Sequence, residues 1–420
     1  MKKFFSPFYI LVTILPFIVL TGCIKDTCRQ SHKYTMYVPV YKTNEEVRLN
    51  IKSNPAKEMQ RPGKLFIKGH YIFLNEMDKG IHVIDNSNAA SPRNVAFIDI
   101  PGNIDIAVKG STLYADMYTD MVALDISDPE NVSLKKVVEG VFPFRYYHSM
   151  FMMDSSKVIV DWVTRDTVIT EDCGNSFGFW SRRETLAFSS DASAANAGGA
   201  SPYGMGGSMA RFSVVQDRLY TVSDHDLTVF NIQNAIDPVY TGKVNVGWGI
   251  ETIYPFKNNL FIGSNSGMFI YDISNADQPK LNGKFGHVQS CDPVIADDQY
   301  AYVTLRSGTA CQGFTNQLEV LKLNGITDPV LLKIYTLTNP HGLSKDGDLL
   351  FICDGTDGLK VFNAASPSNI YLLKHLTGLT TYDVIAWNQK AIVSASDGLY
   401  QYDYSNRNEI RLLSKLNYNR

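Results

Sequence analysis

The chain of 420 residues lacks the features that would point directly to a chemistry. It has no excess of basic residues: the formal net charge is -3, which argues against a nucleic-acid partner because phosphate binding needs a basic surface. Its six cysteines include no Cys-x-x-Cys pair and no cysteine and histidine spacing typical of metal ligands. The sequence contains no motif in which a catalytic nucleophile is accompanied by its general base. We therefore expect no nucleic-acid partner, no metal, no cofactor and no assignable catalytic residue, and an enzyme is the less favoured class.

The beginning of the chain is predicted to be a leader and not part of the fold. Two lysines precede an apolar run from Phe4 to Leu20, which ends in the letters LTGC. This order resembles the bacterial lipobox, which implies cleavage after residue 22 and attachment of diacylglycerol to Cys23. The alternative, an uncleaved membrane-spanning anchor, is less favoured because two prolines interrupt the run.

The lipobox resemblance implies where the protein is located and that a membrane is its partner. We expect a protein of the bacterial cell envelope, held on a membrane by its lipid, with the outer membrane favoured. A single acidic residue, Asp26, lies close behind Cys23, which is too little to indicate export to the cell surface. The periplasmic and surface faces both stay open.

Beyond the leader, seven short segments can be superimposed. They are IHVIDNS from Ile81, MVALDIS from Met121, LTVFNIQ from Leu227, MFIYDIS from Met268, LEVLKLN from Leu318, LKVFNAA from Leu359 and LYQYDYS from Leu399. Their starts are 40 to 50 residues apart, except for one gap of 106. Each unit contains four strand-like runs separated by turn residues. A period of this length predicts an all-β fold, a single β-propeller with four-stranded blades.

The number of blades depends on the long gap. KVIVDWV followed by DTVIT matches the second and third runs of the other units, which predicts a further unit before a low-complexity insert at residues 171–208. Eight blades are therefore favoured, with seven as the alternative. The predicted organisation is a signal peptide at 1–22, a lipidated tether and linker with a short helical turn at 23–62, and the propeller at 63–420.

The repeated segments resemble the LVIVD repeat, a β-propeller repeat of bacterial cell-surface proteins. The motif appears here as IHVID, MVALD, LTVFN, MFIYD and LKVFN, so the period carries more weight than any one match. The resemblance covers residues 63–420 and, with the leader, implies a lipoprotein of that type. It implies no general activity and supplies no catalytic residues.

Ionisable residues recur where the first strand of each unit begins. In a propeller these positions surround one mouth of the central channel, so they are candidate binding residues for a polar ligand. They are Lys64, Asp105, His148, Arg211, Glu251, Asp292, His341 and Asp383. The simplest interpretation is that strands begin with a polar residue where the backbone meets water. A metal site at His148 and His341 is the least favoured alternative.

Two functions are weighed against each other, and a purely structural envelope component, which a wide and unobstructed channel would favour, is a third possibility. The favoured one is a binding or scaffold protein that engages a carbohydrate, a peptide or a protein partner through one face of the ring. The alternative is an envelope hydrolase or lyase acting on a carbohydrate or lactone, with mouth carboxylates as acid and base. Cys291 and Cys311 are expected on that same face as a candidate disulfide, and Cys353 is expected to be a buried free thiol.

Overall fold

The architecture was analysed in a computed structural model of the chain. The structure describes residues 29–60, 62–142, 157–172, 205–208, 210–286, 293–308 and 315–418. The chain divides into two compact units. The smaller comprises residues 1–39 and 162–187, and the larger comprises residues 40–161 and 188–420.

A two-stranded sheet accounts for the described part of the smaller unit. It pairs β1 (Arg29–Thr43) with β11 (Lys157–Asp172). Asp166 of β11 accepts a hydrogen bond of 2.9 Å from the Thr35 hydroxyl and lies 2.6 Å from Lys33 Nζ. The far ends of both strands, residues 40–43 and 157–161, belong to the larger unit.

The larger unit contains the propeller. Blade 1 consists of β3 (Pro62–Lys68), β4 (Tyr71–Glu76), β5 (Gly80–Asp85) and β6 (Arg93–Asp99), and blade 2 of β7 (Ile106–Lys109), β8 (Thr112–Met117), β9 (Asp120–Asp125) and β10 (Ser133–Val138). Blade 3 consists of β13 (Phe212–Val215), β14 (Arg218–Val222), β15 (Asp226–Asn231) and β16 (Val239–Asn245), and blade 4 of β17 (Ile250–Phe256), β18 (Asn259–Ser264), β19 (Gly267–Asp272) and β20 (Lys280–Gly286). Blade 5 consists of β21 (Val294–Ala296), β22 (Tyr300–Leu305), β23 (Gln317–Asn324) and β24 (Asp328–Thr336), and blade 6 of β25 (Leu343–Asp346), β26 (Leu349–Cys353), β27 (Leu359–Asn363) and β28 (Tyr371–Leu376). Blade 7 consists of β29 (Thr381–Trp387), β30 (Lys390–Ala395), β31 (Gly398–Asp403) and β32 (Arg411–Asn417). Within each blade, consecutive strands pair antiparallel.

The all-β propeller is confirmed, and the described residues form seven four-stranded blades. The preference for eight is wrong. The runs KVIVDWV and DTVIT do not fold into a hairpin but form the single strand β11, which pairs with β1. The physical reason is local. Only Thr164 and Arg165 lie between the two runs, and a tight chain reversal favours glycine, asparagine or proline at such positions.

The ring closes between blade 7 and blade 1, and each of these blades is built from a continuous stretch of chain. Leu65 and Ile72 of blade 1 pack against Ile385 of blade 7 in one buried cluster. Asn86 and Gln401 exchange two amide hydrogen bonds, of 3.1 and 2.6 Å, across the same junction. Full burial of such an aliphatic side chain stabilises by about 1.5–3 kcal/mol. Side-chain packing and hydrogen bonds therefore close the ring, without exchange of strands between blades.

The aspartate at the end of the repeated motif caps a turn. Asp85 Oδ1 accepts a hydrogen bond of 2.9 Å from the Ser87 amide, and Asp125 accepts one of the same length from Ser127. The asparagine of LTVFN does the same at Asn231. These bonds mimic a backbone turn and lead the chain from the third strand into the fourth. The repeated sequence is thus explained by a repeated turn.

A short segment before the propeller contributes one helix and one added strand. Helix α1 (Asn44–Asn50) begins with a capping box in which Thr43 and Glu46 bond reciprocally, so the N-cap is Thr43. Strand β2 (Ser53–Pro55) then pairs with the outer edge of β6. A strand on the opposite edge of the blade, β12 (Met205–Gly206), pairs with β3. Within the described residues, no helix has the length and apolar character needed to cross a membrane.

Candidate functional site

The mouth is defined here as the end of the ring where the inner strands begin. It is built from the loops that enter each first strand and from the hairpins between second and third strands, since these meet at the same end of a blade. The structure places six predicted mouth residues at or just before the beginning of an inner strand: Lys64, Asp105, Arg211, Glu251, His341 and Asp383. His148 and Asp292 lie outside the described residues, as do Cys23, Cys291 and Cys311.

Lys64 and Asp105 form a buried ion pair that joins blades 1 and 2. Lys64 Nζ lies 2.8 Å from Asp105 Oδ2, and the side chains are only 2% and 3% exposed. The same carboxylate accepts a hydrogen bond from the Arg211 amide at the start of blade 3. Burial lowers the pKa of Lys64 and raises the pKa of Asp105, and the attraction between the two opposes both shifts. This pair connects three blades and is closed to a ligand in solution.

Arg306, which follows strand β22, is a mouth residue that the sequence analysis missed. Burial lowers the pKa of its guanidinium, and the Glu251 carboxylate opposes that shift. Arg306 could have been located from the sequence, because the end of a second strand lies beside the start of the first strand in an antiparallel pair. With Arg306 included, the charges alternate in sign from Lys64 through Asp105, Arg211 and Glu251 to Arg306.

His341 is held neutral inside the ring. His341 is 3% exposed. Its imidazole packs edge to face against the Tyr382 ring, with the ring centroids 5.7 Å apart. Burial, and secondly the positive charge of Arg306, lower its pKa to about 3. Its Nδ1 has no hydrogen-bond partner among the described residues. His341 thus offers an uncharged imidazole beside a guanidinium.

Asp383 lies deeper than the other mouth residues. It is fully buried, and its negative charge adds to burial in raising the pKa of the Cys353 thiol well above the usual value. Cys353 is buried and not in a disulfide, which confirms the expectation for that residue. The structure therefore places Asp383 between blades 6 and 7 and away from solvent.

The most exposed large aromatic side chain of the described residues lies on this face. Trp248 is 79% exposed, in the loop that leads into blade 4. Its ring centroid lies 5.1 Å from that of His225, which is in the hairpin of blade 3. Arg211 Nη2 donates to Asp224 Oδ1 at 2.8 Å and to the Ile250 carbonyl at 3.2 Å, so its guanidinium borders the same loop.

The Trp248 loop is held on both sides by backbone hydrogen bonds. The amides of Val246 and Ile250 donate to the carbonyls of His225 and Asp224, at 2.9 and 3.1 Å. On the other side the Asn265 amide donates to the carbonyl of Gly249 at 2.8 Å. Gly249 has a φ of +74°, and a Cβ there would lie 2.3 Å from the Asn265 side chain. The indole is therefore exposed on a loop whose conformation is already set.

The interior of the ring is crossed by residues 205–208, the last residues of the insert. In β12, Met205 is opposite Ile67 and Gly206 is opposite Phe66 on the inner edge of β3. Two residues later, the buried Ser208 hydroxyl accepts a hydrogen bond of 3.2 Å from the Leu343 amide of β25. Because β3 and β25 belong to blades 1 and 6, residues 205–208 join two blades that are not neighbours. Residues 205–208 therefore obstruct the central channel.

Comparison with family models identifies the first two repeats. Residues 63–98 and 103–139 match the model described as LVIVD repeat, and these stretches coincide with blades 1 and 2. The chain is a β-propeller with LVIVD repeats. A comparison with curated proteins finds no significant match to the LVIVD propeller.

Solved structures are similar to the LVIVD propeller in fold alone. The periplasmic gluconolactonase PpgL of Pseudomonas aeruginosa is 13% identical, with 84% of this chain and 95% of that chain covered and a TM-score of 0.55. A protein from Lactobacillus plantarum is 12% identical, with 77% and 86% covered and a TM-score of 0.51. The computationally designed Ika8 protein is 9% identical, with 87% and 90% covered and a TM-score of 0.50.

Proposed function

We propose that the LVIVD propeller is a binding protein that engages a carbohydrate at its mouth. The observation that carries the proposal is Trp248, an exposed indole on a preset loop beside Arg211 and His225. Tryptophan is enriched at binding surfaces, because its ring offers a large apolar contact area and an N–H donor. An indole face packs against the aliphatic face of a sugar ring, while the guanidinium and imidazole supply hydrogen bonds to hydroxyl groups.

The rigidity of the loop supports recognition over chance exposure. A loop that is already ordered loses little conformational entropy when a ligand binds, so more of the contact energy appears as affinity. The side chains beside it carry both signs of charge, because Arg211 Nη2 lies 2.8 Å from Asp224 Oδ1. A patch of mixed charge favours a polar ligand rich in hydroxyl groups over one of high net charge.

The alternative of a hydrolase or lyase has less support at the mouth. Of the carboxylates considered for acid and base roles, Asp105 is held by Lys64 and by the Arg211 amide, and Asp383 is fully buried. A general acid or base must reach the proton that it transfers. The fold shared with PpgL does not change this balance, since one propeller architecture carries many functions.

Attachment to the bacterial envelope is part of the same proposal and rests on the leader. A diacylglyceryl group on Cys23 would hold the propeller on a membrane, with the outer membrane favoured. Mass spectrometry of the purified protein tests this point. A tryptic N-terminus at Cys23 carrying lipid is expected, and an unmodified Cys23 in the mature chain would contradict it.

Binding is tested with the purified full chain on a glycan array, followed by calorimetric titration of the sugars retained. Trp248→Ala is expected to weaken binding by about 2 kcal/mol or more, roughly 30-fold, as for a central aromatic contact. Trp387→Ala is the matched control, because Trp387 is 36% exposed at the end of β29, on the opposite face. Equal affinities of the two variants would refute the proposal.

A further inference from the structure

A cavity lies on the mouth side of blade 1, away from the Trp248 loop of blades 3 and 4. Its volume is about 520 Å³, within the range of about 300–1,000 Å³ for small-molecule sites. Blade 1 supplies the floor, while β1, α1, residues 57–60 and the beginning of β11 supply the walls. Its lining residues all belong to the larger unit.

The floor carries a fixed hydrogen-bond acceptor. Glu76 Oε2 lies 3.1 Å from His82 Nε2 and accepts a 3.1 Å hydrogen bond from the Gln60 amide. The Asn94 side-chain amide, 3.4 Å from His82 Nδ1, has hydrogen to donate there. A carboxylate oxygen can only accept, so His82 Nε2 is the donor in its contact with Glu76. This network holds the Glu76 carboxylate as an acceptor at a position where it is 8% exposed.

Ammonium and carboxylate groups form pairs in which one member belongs to the floor and the other to a wall. Lys79 Nζ lies 2.5 Å from Asp161 Oδ1, and Lys57 contacts Asp99 while its ammonium lies 4.4 Å from the centre of the Phe97 ring. Donors and acceptors thus alternate around the cavity, while the charges of each pair largely cancel.

This pattern selects for one kind of ligand. A hydroxyl group donates and accepts at once, so neighbouring hydroxyls can bridge an ammonium and the carboxylate beside it. A charged ligand would meet a like charge beside every opposite one. An apolar ligand would remove the water that is bonded to the paired groups and would offer no hydrogen bonds in its place. We propose that the blade 1 cavity is a binding site for a neutral polyhydroxylated molecule, a mono- or disaccharide, distinct from the mouth site.

The test separates the two sites. Glu58 lines the cavity and is exposed, so Glu58→Trp should fill the space without disturbing the core. Glu409→Trp, at an exposed position in the turn before β32, is the matched control. Neutral mono- and disaccharides are titrated calorimetrically into the full chain and into each variant, with circular dichroism to verify the fold.

The expected result is that Glu58→Trp weakens binding of the sugar by about tenfold or more while Glu409→Trp and Trp248→Ala leave that site unchanged. Three results would overturn the inference: no neutral sugar binds the unmodified chain at millimolar concentration, Glu58→Trp binds as well as Glu409→Trp, or Trp248→Ala removes all binding. The last result would leave the mouth proposal standing. Loss of binding through Glu58→Trp alone would support the cavity, and the mouth proposal is then decided by the separate titration of the sugars retained on the glycan array.

Discussion

Replacing Lys64 by methionine should destabilise the propeller far more than the loss of an ordinary surface charge. The change keeps the length of the side chain but leaves the Asp105 carboxylate buried without its cation. Removing one member of a buried ion pair costs about 3–5 kcal/mol. Asp105 retains hydrogen bonds from the amides of Arg211 and Ile106, so we expect the lower end of that range, about 3 kcal/mol.

The sign of the pH dependence follows from the same geometry. In the variant, burial raises the pKa of Asp105 without opposition from Lys64, so the folded chain holds a proton that the unfolded chain releases. The destabilisation should therefore be larger at pH 8 than at pH 5. The double change Lys64→Met with Asp105→Asn should recover most of the loss, because an amide accepts the backbone bonds without a charge.

Urea unfolding followed by circular dichroism measures these differences. Lys415→Met is the matched control, since Lys415 forms a 2.7 Å pair with Asp397 at partly exposed positions, where such pairs contribute about 0–1 kcal/mol. A cost below about 1 kcal/mol for Lys64→Met would refute the claim that this pair joins the blades.

Three further results are expected. His341, whose folded pKa of about 3 lies below its unfolded value, should reduce stability as the pH falls below about 6.5, by about 2 kcal/mol at pH 5; a His341→Gln variant that keeps the full pH dependence of urea unfolding would contradict this. Gly249→Ala should displace the Trp248 loop and lower sugar affinity, whereas Gly325→Ala, where φ is also positive but the space is open, should leave affinity unchanged; equal calorimetric affinities would argue against a preset loop. Cys353 should react with a thiol reagent only after denaturation, and rapid labelling of the native chain would show that it is not buried.

The blades could be predicted because their information is local. A strand ending in Asp85 or Asp125 is followed by a turn that the same carboxylate caps, so each unit specifies its own hairpin within about forty residues. The beginnings of the inner strands could be located by counting back within a unit, which is why Lys64 and Asp105 were found although they lie in different blades.

The rest depends on contacts between distant parts of the chain. Strand β11 pairs with β1, and β12 pairs with β3, but no spacing in the sequence announces either partner. A strand-like run specifies that it needs a partner and not which one. Trp248 differs, because its position between Gly247 and Gly249 in a loop before a first strand was visible in the sequence. The sequence does not reveal the backbone hydrogen bonds that keep the indole exposed.

The central claim, that a ligand covers Trp248 at the mouth, is tested most directly by hydroxyl-radical footprinting of the unmodified full chain. Trp248 is 79% exposed and should be oxidised rapidly in the free protein, while Trp387 on the opposite face reports the background. With a saturating amount of a sugar retained on the glycan array, the oxidation rate of Trp248 should fall severalfold and that of Trp387 should not change. An unchanged rate at Trp248 would contradict the account.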